Sequence, residues 1–511
     1  MVTYRPKIPS IGRDLCGRAV IYTAADEINR ENVLEEYAKA FSVHQFNRSR
    51  IEYLYGYVRG ITPILKRQKL VRSDICSRIN ENHALEVSQF TANYFAGEPI
   101  TYVRRGEKEQ NSKDIELLNN YMYFEGKQTC DAEIAHWMAD VGVGYRMVLP
   151  DKYFTPDMRD ESPFEIDALD PAHSFVVYNS GFGNEPMMGV HLVVRKDADG
   201  HDSEYANVYT KDRYFLIHGN EILMEKPHAL GDVPIIEYQL NNYRMGSFEP
   251  AIPLLDAINN ITSNRCDGVE QIIQSFLKFI NCDIDADGLQ KLQQMGAISI
   301  KSMSGLNADV DTIRQDLDQT QVQTLIDYLY HQVLTICGVP NVEQTEGSTS
   351  DNGNAVLLRA GWLHAESRAK SAENYWRKSD KRFLKIVLKI LRDSSVGFDL
   401  SLSEIECKFT RRQHDNLLTK TQSLLHMLEA GLAPEVAIAT CGLFNDPMDV
   451  AQQSEEYLEK WVYEPTSTET AASGFLGNVL NDGKQDTDEL IDQHTNGDVS
   501  ERTGTGGRKN G

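Results

Sequence analysis

The chain has 511 residues, room for about two to four domains with cores of their own, and its 41% hydrophobic and 25% charged residues describe a globular protein. That composition excludes a collagen-like chain, a disulfide scaffold and wholesale disorder, and no apolar run reaches the roughly 18 to 20 residues of a membrane helix. A formal net charge of −23 argues against a conventional static DNA binder, which gains affinity by neutralising phosphates, but allows a surface past which DNA slides.

Residues 1–10 carry no apolar signal-peptide core, so the chain is expected to be made in the cytosol and to have no membrane contact. Residues before Asn82 mix helical segments with basic clusters such as Lys66-Arg67-Gln68-Lys69, without a definite placement. From Asn82 apolar residues recur at helical spacing to Phe95 and stop at Gly97-Glu98-Pro99. A short strand at 100–103, helices at 112–124 and 130–140, and strands near 144–149, 164–169, 174–178, 189–195, 205–209, 214–218 and 233–240 make the first half one α+β domain.

After Gly246 the pattern changes. The spacing of Leu255, Ile258, Thr262, Val269, Ile272, Phe276 and Ile280 predicts one long helix over 248–280. A mixed segment follows, with a strand at 297–301, and then a helix over 319–337 that stops at Gly338-Val339-Pro340. Residues 341–354 are almost wholly polar and are expected to form an exposed or disordered loop.

Residues 355–392 contain no Pro and, apart from Gly361, no Gly, so they predict a helix of about 57 Å at 1.5 Å per residue. Its seam runs through Leu358, Trp362, Ala365, Ala369, Ala372, Trp376, Ser379, Phe383, Ile386 and Ile390 in steps of four and three. The other faces carry ten Arg and Lys residues from Arg359 to Arg392 against Glu366, Glu373 and Asp380. Such a surface is either a solvated face, a packed subunit contact or a face toward DNA. A strand at 405–409 and short helices at 415–429, 434–440 and 449–461 follow. The Thr, Ser, Gly, Asn and Asp-rich end is too poor in apolar residues to offset its ordering entropy, and a mobile tail is expected there.

The common catalytic signatures are missing. There is no phosphate loop, H-E-x-x-H or G-x-S-x-G, and the eight cysteines, with no C-x-x-C pair, read as small buried hydrophobes. Asp283-Ile284-Asp285-Ala286-Asp287-Gly288 opens like a calcium-binding loop, but the twelfth position, which needs a bidentate carboxylate, is Gln294. The alternative for those aspartates is a turn that caps the next short helix. No metal and no cofactor is expected.

Several stretches together resemble the portal proteins of tailed phages, of the type found in siphophages of Gram-positive bacteria. They are the helix ending in Gly97-Glu98-Pro99-Ile100, the run from Gly231-Asp232-Val233-Pro234 through Gly246-Ser247-Phe248-Glu249, Asn352-Gly353-Asn354-Ala355-Val356-Leu357 at the start of the long helix, and Phe409-Thr410-Arg411-Arg412 through Asp446-Pro447.

The resemblance implies a non-enzymatic ring of about twelve subunits around a DNA channel at one capsid vertex, for genome packaging and ejection. The implied α+β fold divides into wing (1–247), stem helix (248–280), clip (281–318), stem helix (319–340), tunnel loop (341–354), wing (355–412), crown (413–463) and a flexible acidic tail (464–511). The implied channel residues are Asn341, Glu343, Gln344, Glu346, Ser348, Thr349, Asp351 and Asn352, although Ser350-Asp351-Asn352-Gly353 is more acidic than the family's usual Ser-Gly opening. The loop holds neither Lys nor Arg, as sliding past phosphates requires.

Partners implied are double-stranded DNA in transit, the terminase large subunit, the major capsid and scaffolding proteins and the head–tail adaptor, in the virion and, during assembly, the host cytoplasm. The residues alone leave open a coiled-coil virion assembly or interaction protein built on the long helix, or an enzyme whose site is assembled from distant residues.

Overall fold

The computed structural model describes residues 17–70, 73–105, 110–157, 160–196, 200–273, 276–280, 282–283, 301–302, 309–313, 319–341, 361–394, 397–411, 417–444 and 450–454. The chain divides into two compact units, residues 1–414 and 415–511. Helices and strands are mixed along the first, so its class is α+β.

The first unit opens on β1 (Ile21–Thr23) and the 26-residue helix α1 (Val33–Val58). Three helices, α2 (His83–Ala96), α3 (Gln110–Phe124) and α4 (Lys127–Val141), follow, with β2 (Thr101–Arg104) after α2. The strand-rich stretch is β3 (Val143–Pro150), β4 (Phe164–Leu169), β5 (Ser174–Asn179), β6 (Pro186–Lys196), β7 (Asp202–Tyr209), β8 (Arg213–His218), β9 (Glu221–Pro227) and β10 (Ile235–Gln239). They form two sheets: β1-β5-β6-β7-β8-β9, antiparallel except for the parallel β1–β5 pair, and the antiparallel β10-β3-β4.

The predicted strands of this half all exist, because alternating Val, Ile, Phe and Tyr residues bury one face. Along β6 and β7 these include Met188, Val190, Leu192, Ala206 and Val208, which pack with Phe175 and Phe215 against Val33 and Ala40 of α1.

Two expected elements are corrected. The helix expected over 248–280 is α5 (Ile252–Ile273), entered by a 3-10 turn at Glu249–Ala251. Phe276–Ile280 is instead β11, paired antiparallel with β14 (Asp309–Ile313). Phe276, Phe279 and Ile280 are residue types that favour extended backbone, and the main chain there finds a partner strand. The strand expected at 297–301 is described only as β13 (Lys301–Ser302), which pairs with β12 (Cys282–Asp283). Asp283, expected to open a calcium-like loop or a capping turn, lies in that strand; the rest of the motif is outside the described residues.

The second helix expected there is α6 (Gln319–Cys337), packed on α5 through Leu255, Ile258, Ile326, Val333 and Cys337. The long helix is α7 (Trp362–Asp393), 32 residues and about 48 Å. It starts seven residues later than expected, because Gly361 at its N-terminus sits at φ +84°, which breaks a right-handed helix; 355–360 lie outside the described residues. Its seam is filled by its own chain: Ala372, Trp376, Phe383, Ile386 and Ile390 join Phe95, Tyr102, Phe164 and Tyr238 in the largest core. Each large side chain buried in this way contributes about 1.5–3 kcal/mol. β15 (Ile405–Lys408) then pairs antiparallel with β2.

In the second unit α8 (Leu417–Glu429) and α9 (Pro434–Cys441) pack together, with Ala437 and Ile438 buried. Residues 450–454 are helical, and the end of the helix expected at 449–461, like the tail, lies outside the described residues.

Candidate functional site

Of the eight polar residues singled out in the sequence, Asn341 is described; Glu343, Gln344, Glu346, Ser348, Thr349, Asp351 and Asn352 lie outside the described residues. What the structure defines is the mount from which that segment hangs.

α6 ends in a left-handed stop. The Gly338 amide donates to the Thr335 carbonyl (3.2 Å) and the Val339 amide to that of Leu334 (2.9 Å), the paired bonds that close a helix through a residue at positive φ, here +71°. Arg368 of α7 adds a third cap: its guanidinium donates to the Ile336 carbonyl at 2.6 Å. Positive φ favours glycine at 338, and a Cβ there would displace the Arg368 side chain that makes this cap.

The chain returns at Gly361, where an added Cβ would meet the Pro340 Cα at 3.9 Å. Segment 341–360 therefore leaves and re-enters at one place. Beside that point Trp362 packs against Phe90 (6.0 Å) and Tyr94 (5.9 Å) of α2. The Tyr94 hydroxyl donates to Glu366 at 2.9 Å, and Arg411 grips Glu366 with two bonds of 3.0 Å while also pairing with Glu373. Burial alone would raise the Glu366 carboxyl, but Arg411 holds it below its usual range. A cavity of 190 Å³ lies under the mount, lined by Phe90, Tyr94, Met245, Ala365 and Ala369. Cys337 on its wall is buried, which pushes its thiol pKa up to about 12 and leaves it unreactive.

Halfway along α7 a buried charged group fixes the helix. Arg146 of β3, fully buried, pairs with Asp131 of α4 and with Asp380 of α7 (3.3 Å), and Lys127 also pairs with Asp131. Asp380 accepts from the hydroxyls of Tyr102 (2.9 Å) and Tyr238 (3.1 Å) as well. Burial works against the Arg146 charge, but Tyr238, Asp131 and Asp380 outweigh it and hold the guanidinium pKa well above its ordinary value. Two cations face two carboxylates, so the group is neutral and joins α4, β2, β3, β10 and α7.

α5 is positioned by a polar ladder. Asn259, Ser263 and Asp267, one turn apart, accept from the amides of Glu81 (2.8 Å), Ile79 (3.0 Å) and Ser77 (2.7 Å). Eight helical residues rise about 12 Å and four extended residues about 13 Å, so the two spacings match. Arg67 (2.8 Å) and Lys69 close on Asp267; burial would raise its carboxyl, but these cations and Ser77 bring it down to about 2. At the other end His83 lies between Glu86 (2.9 Å) and Glu81 (3.3 Å) and packs at a tilt against the ring of Tyr330 of α6.

Sequence reasoning missed Arg146, Arg368 and Arg411, and it placed Glu366, Glu373 and Asp380 on the outer faces of the long helix. The structure turns Glu373 and Asp380 into the core and engages Glu366 with Arg411. The signal available was position: Asp380 follows Ser379 of the seam and lies seven residues after Glu373, on the same face.

No described group of three or more His, Cys, Asp or Glu residues is arranged to hold a metal ion, and no described helix is long and apolar enough to cross a membrane. The chain belongs with the phage portal proteins. The chain is a member of the family described as phage portal protein, SPP1 Gp6-like, whose model matches residues 39–461. That family is structural rather than enzymatic. No curated protein sequence matches the chain.

Proposed function

We propose that the chain is the repeating subunit of a closed ring, of about twelve copies, around an axial channel at one capsid vertex, through which double-stranded DNA is packaged and ejected. The family match over 39–461 carries this reading. In it, α5 and α6 are the stem, residues 281–318 the clip, 341–354 the tunnel loop, 413–463 the crown, and 1–247 with 355–412 the wing. The packaging motor's large terminase subunit, the capsid and scaffolding proteins and the head–tail adaptor are its protein partners.

The loop works by what it lacks. Without Lys or Arg it releases no counterions from DNA and does not hold it, while Glu343, Glu346 and Asp351 repel phosphates and Gln344, Ser348, Thr349 and Asn352 make brief hydrogen bonds. Its base at Gly338 and Gly361 is fixed to two helices, so force on the tip is passed to α6 and α7.

A coiled-coil assembly factor is the weaker reading, because the seam of α7 is already buried in its own unit. The test is the mass and rotational symmetry of the purified protein, by native mass spectrometry and negative-stain class averages. A closed ring with a central hole is expected; a dimer to tetramer at high concentration would reject the portal ring in favour of the coiled coil.

A further inference from the structure

With its acids turned inward, α7 leaves an outer face that is almost purely basic. Lys370, Lys378, Lys381 and Lys385 are exposed along one side over about 22 Å. Lys370 and Lys385 reach Glu366 (3.4 Å) and Asp232 (3.0 Å) from exposed positions, whereas Lys378 and Lys381 form no ion pair among the described residues.

Elsewhere in the same unit three carboxylates gather. Glu125 follows α3, Asp151 follows β3, and Glu165 lies on β4, the edge of its three-stranded sheet. None of the three pairs with a described cation, and the Glu125 carboxyl is raised by burial, with Glu165 and Asp151 adding to the effect. Asp151, Glu165 and Asp393 line a groove of 780 Å³ together with Tyr153 and Tyr214, and Lys152 and Lys226 line it too, so its carboxylates outnumber its lysines by three to two. Tyr153, one of its lining residues, is 81% exposed.

We infer that the basic outer stripe of α7 in one copy packs against the acidic, tyrosine-walled groove around Asp151 and Glu165 of the next copy. This rests on the ring proposed above. A closed ring needs two different complementary patches on each subunit, and these two supply opposite signs. Lysine fits such a groove, since its apolar stem lies along aromatic rings while the ammonium reaches the carboxylates at the rim. At −23 per chain, copies repel one another on net charge, and a basic stripe supplies a local attraction. DNA would account for the stripe but leaves the acidic groove without a role, which favours a second copy.

The test uses the full-length chain and charge reversal: K378E/K381E on the stripe, D151K/E165K on the groove, and all four together, with circular dichroism to show that each variant is folded. Single E165K serves if Asp151, whose carboxylate accepts from the Tyr153 amide, proves necessary for folding. Each reversed pair is expected to raise the subunit concentration for half-assembly at least about tenfold, and the combined variant to return within about threefold of the original. Normal assembly of either reversed pair, or no recovery in the combination, overturns the contact while leaving the ring intact. A stripe variant that assembles normally but retains less double-stranded DNA also overturns it and assigns the stripe to the nucleic acid. An unaltered chain that forms no ring at all removes the proposed function and, with it, this contact.

Discussion

The middle of α7 and its beginning hold the same helix by opposite means. At Asp380 a buried carboxylate is gripped from three elements by Arg146, Tyr102 and Tyr238, and no partner can leave without stranding a charge. At Gly361 the helix begins beside the end of α6, held by one arginine cap and two glycines. The first arrangement fixes where the helix lies; the second fixes where a loop starts and stops while asking nothing of its interior. In the proposed ring, a subunit that carries load at its core and meets DNA at its loop would require both.

The largest effect is expected at the core. Asp380→Ala leaves Arg146 buried without one of its two carboxylates and should lower the stability of unfolding by about 3–5 kcal/mol, read by denaturant titration. A loss under about 1 kcal/mol would mean that Asp131 alone suffices and that the contrast between the two regions is false.

At the mount, Gly338→Ala places a side chain at positive φ and against Arg368, and a loss of about 1–3 kcal/mol is expected. Because the flexible arginine must move, the variant should also lose the cap on Ile336, and Arg368→Ala should then add less than its single effect in a double-mutant cycle. Strict additivity would show that the two act separately.

Smaller still is the effect of pH at the helix ladder. Burial opposes a charge on His83, but Glu86 and Glu81 outweigh it and raise its pKa above 6.5, so its contribution is complete below the unfolded value and is lost as pH rises through the raised one. Asp267 is the reverse: its contribution is present above the ordinary 3.8 and disappears as pH falls toward about 2. Stability profiles of His83→Gln and Asp267→Asn should each flatten in their own window, and an unchanged profile would exclude that residue as a pH-dependent tie.

Least should happen to folding when residues 347–352 are deleted. Stability is expected to change by less than about 0.5 kcal/mol and rings to form, while DNA packaging fails. Aggregated or monomeric protein after that deletion would reverse the comparison, making the loop part of the support.

The sequence was informative wherever a pattern was local. The strands of the first half and the stop at Gly338 follow from alternation and glycine. It was silent on α1, whose buried face is interrupted by His44 and Asn47. These are satisfied only from afar, the ring by the Ala172 carbonyl (3.0 Å) and the amide by Ala19 (2.9 and 2.8 Å), so no local apolar period marks the helix. It overran α5, since Phe276 and Ile280 fit a helical stripe as well as a strand until their partners at 309–313 are known.

By itself, then, the sequence determined the class, the family resemblance and the stop at Gly338, because backbone propensity and side-chain period act over a few residues. Only the tertiary structure decided which charges of the long helix face inward. Arg146 and Asp380 are 234 positions apart, and a buried ion pair is favourable only when the fold delivers both partners and the tyrosines that complete their hydrogen bonds.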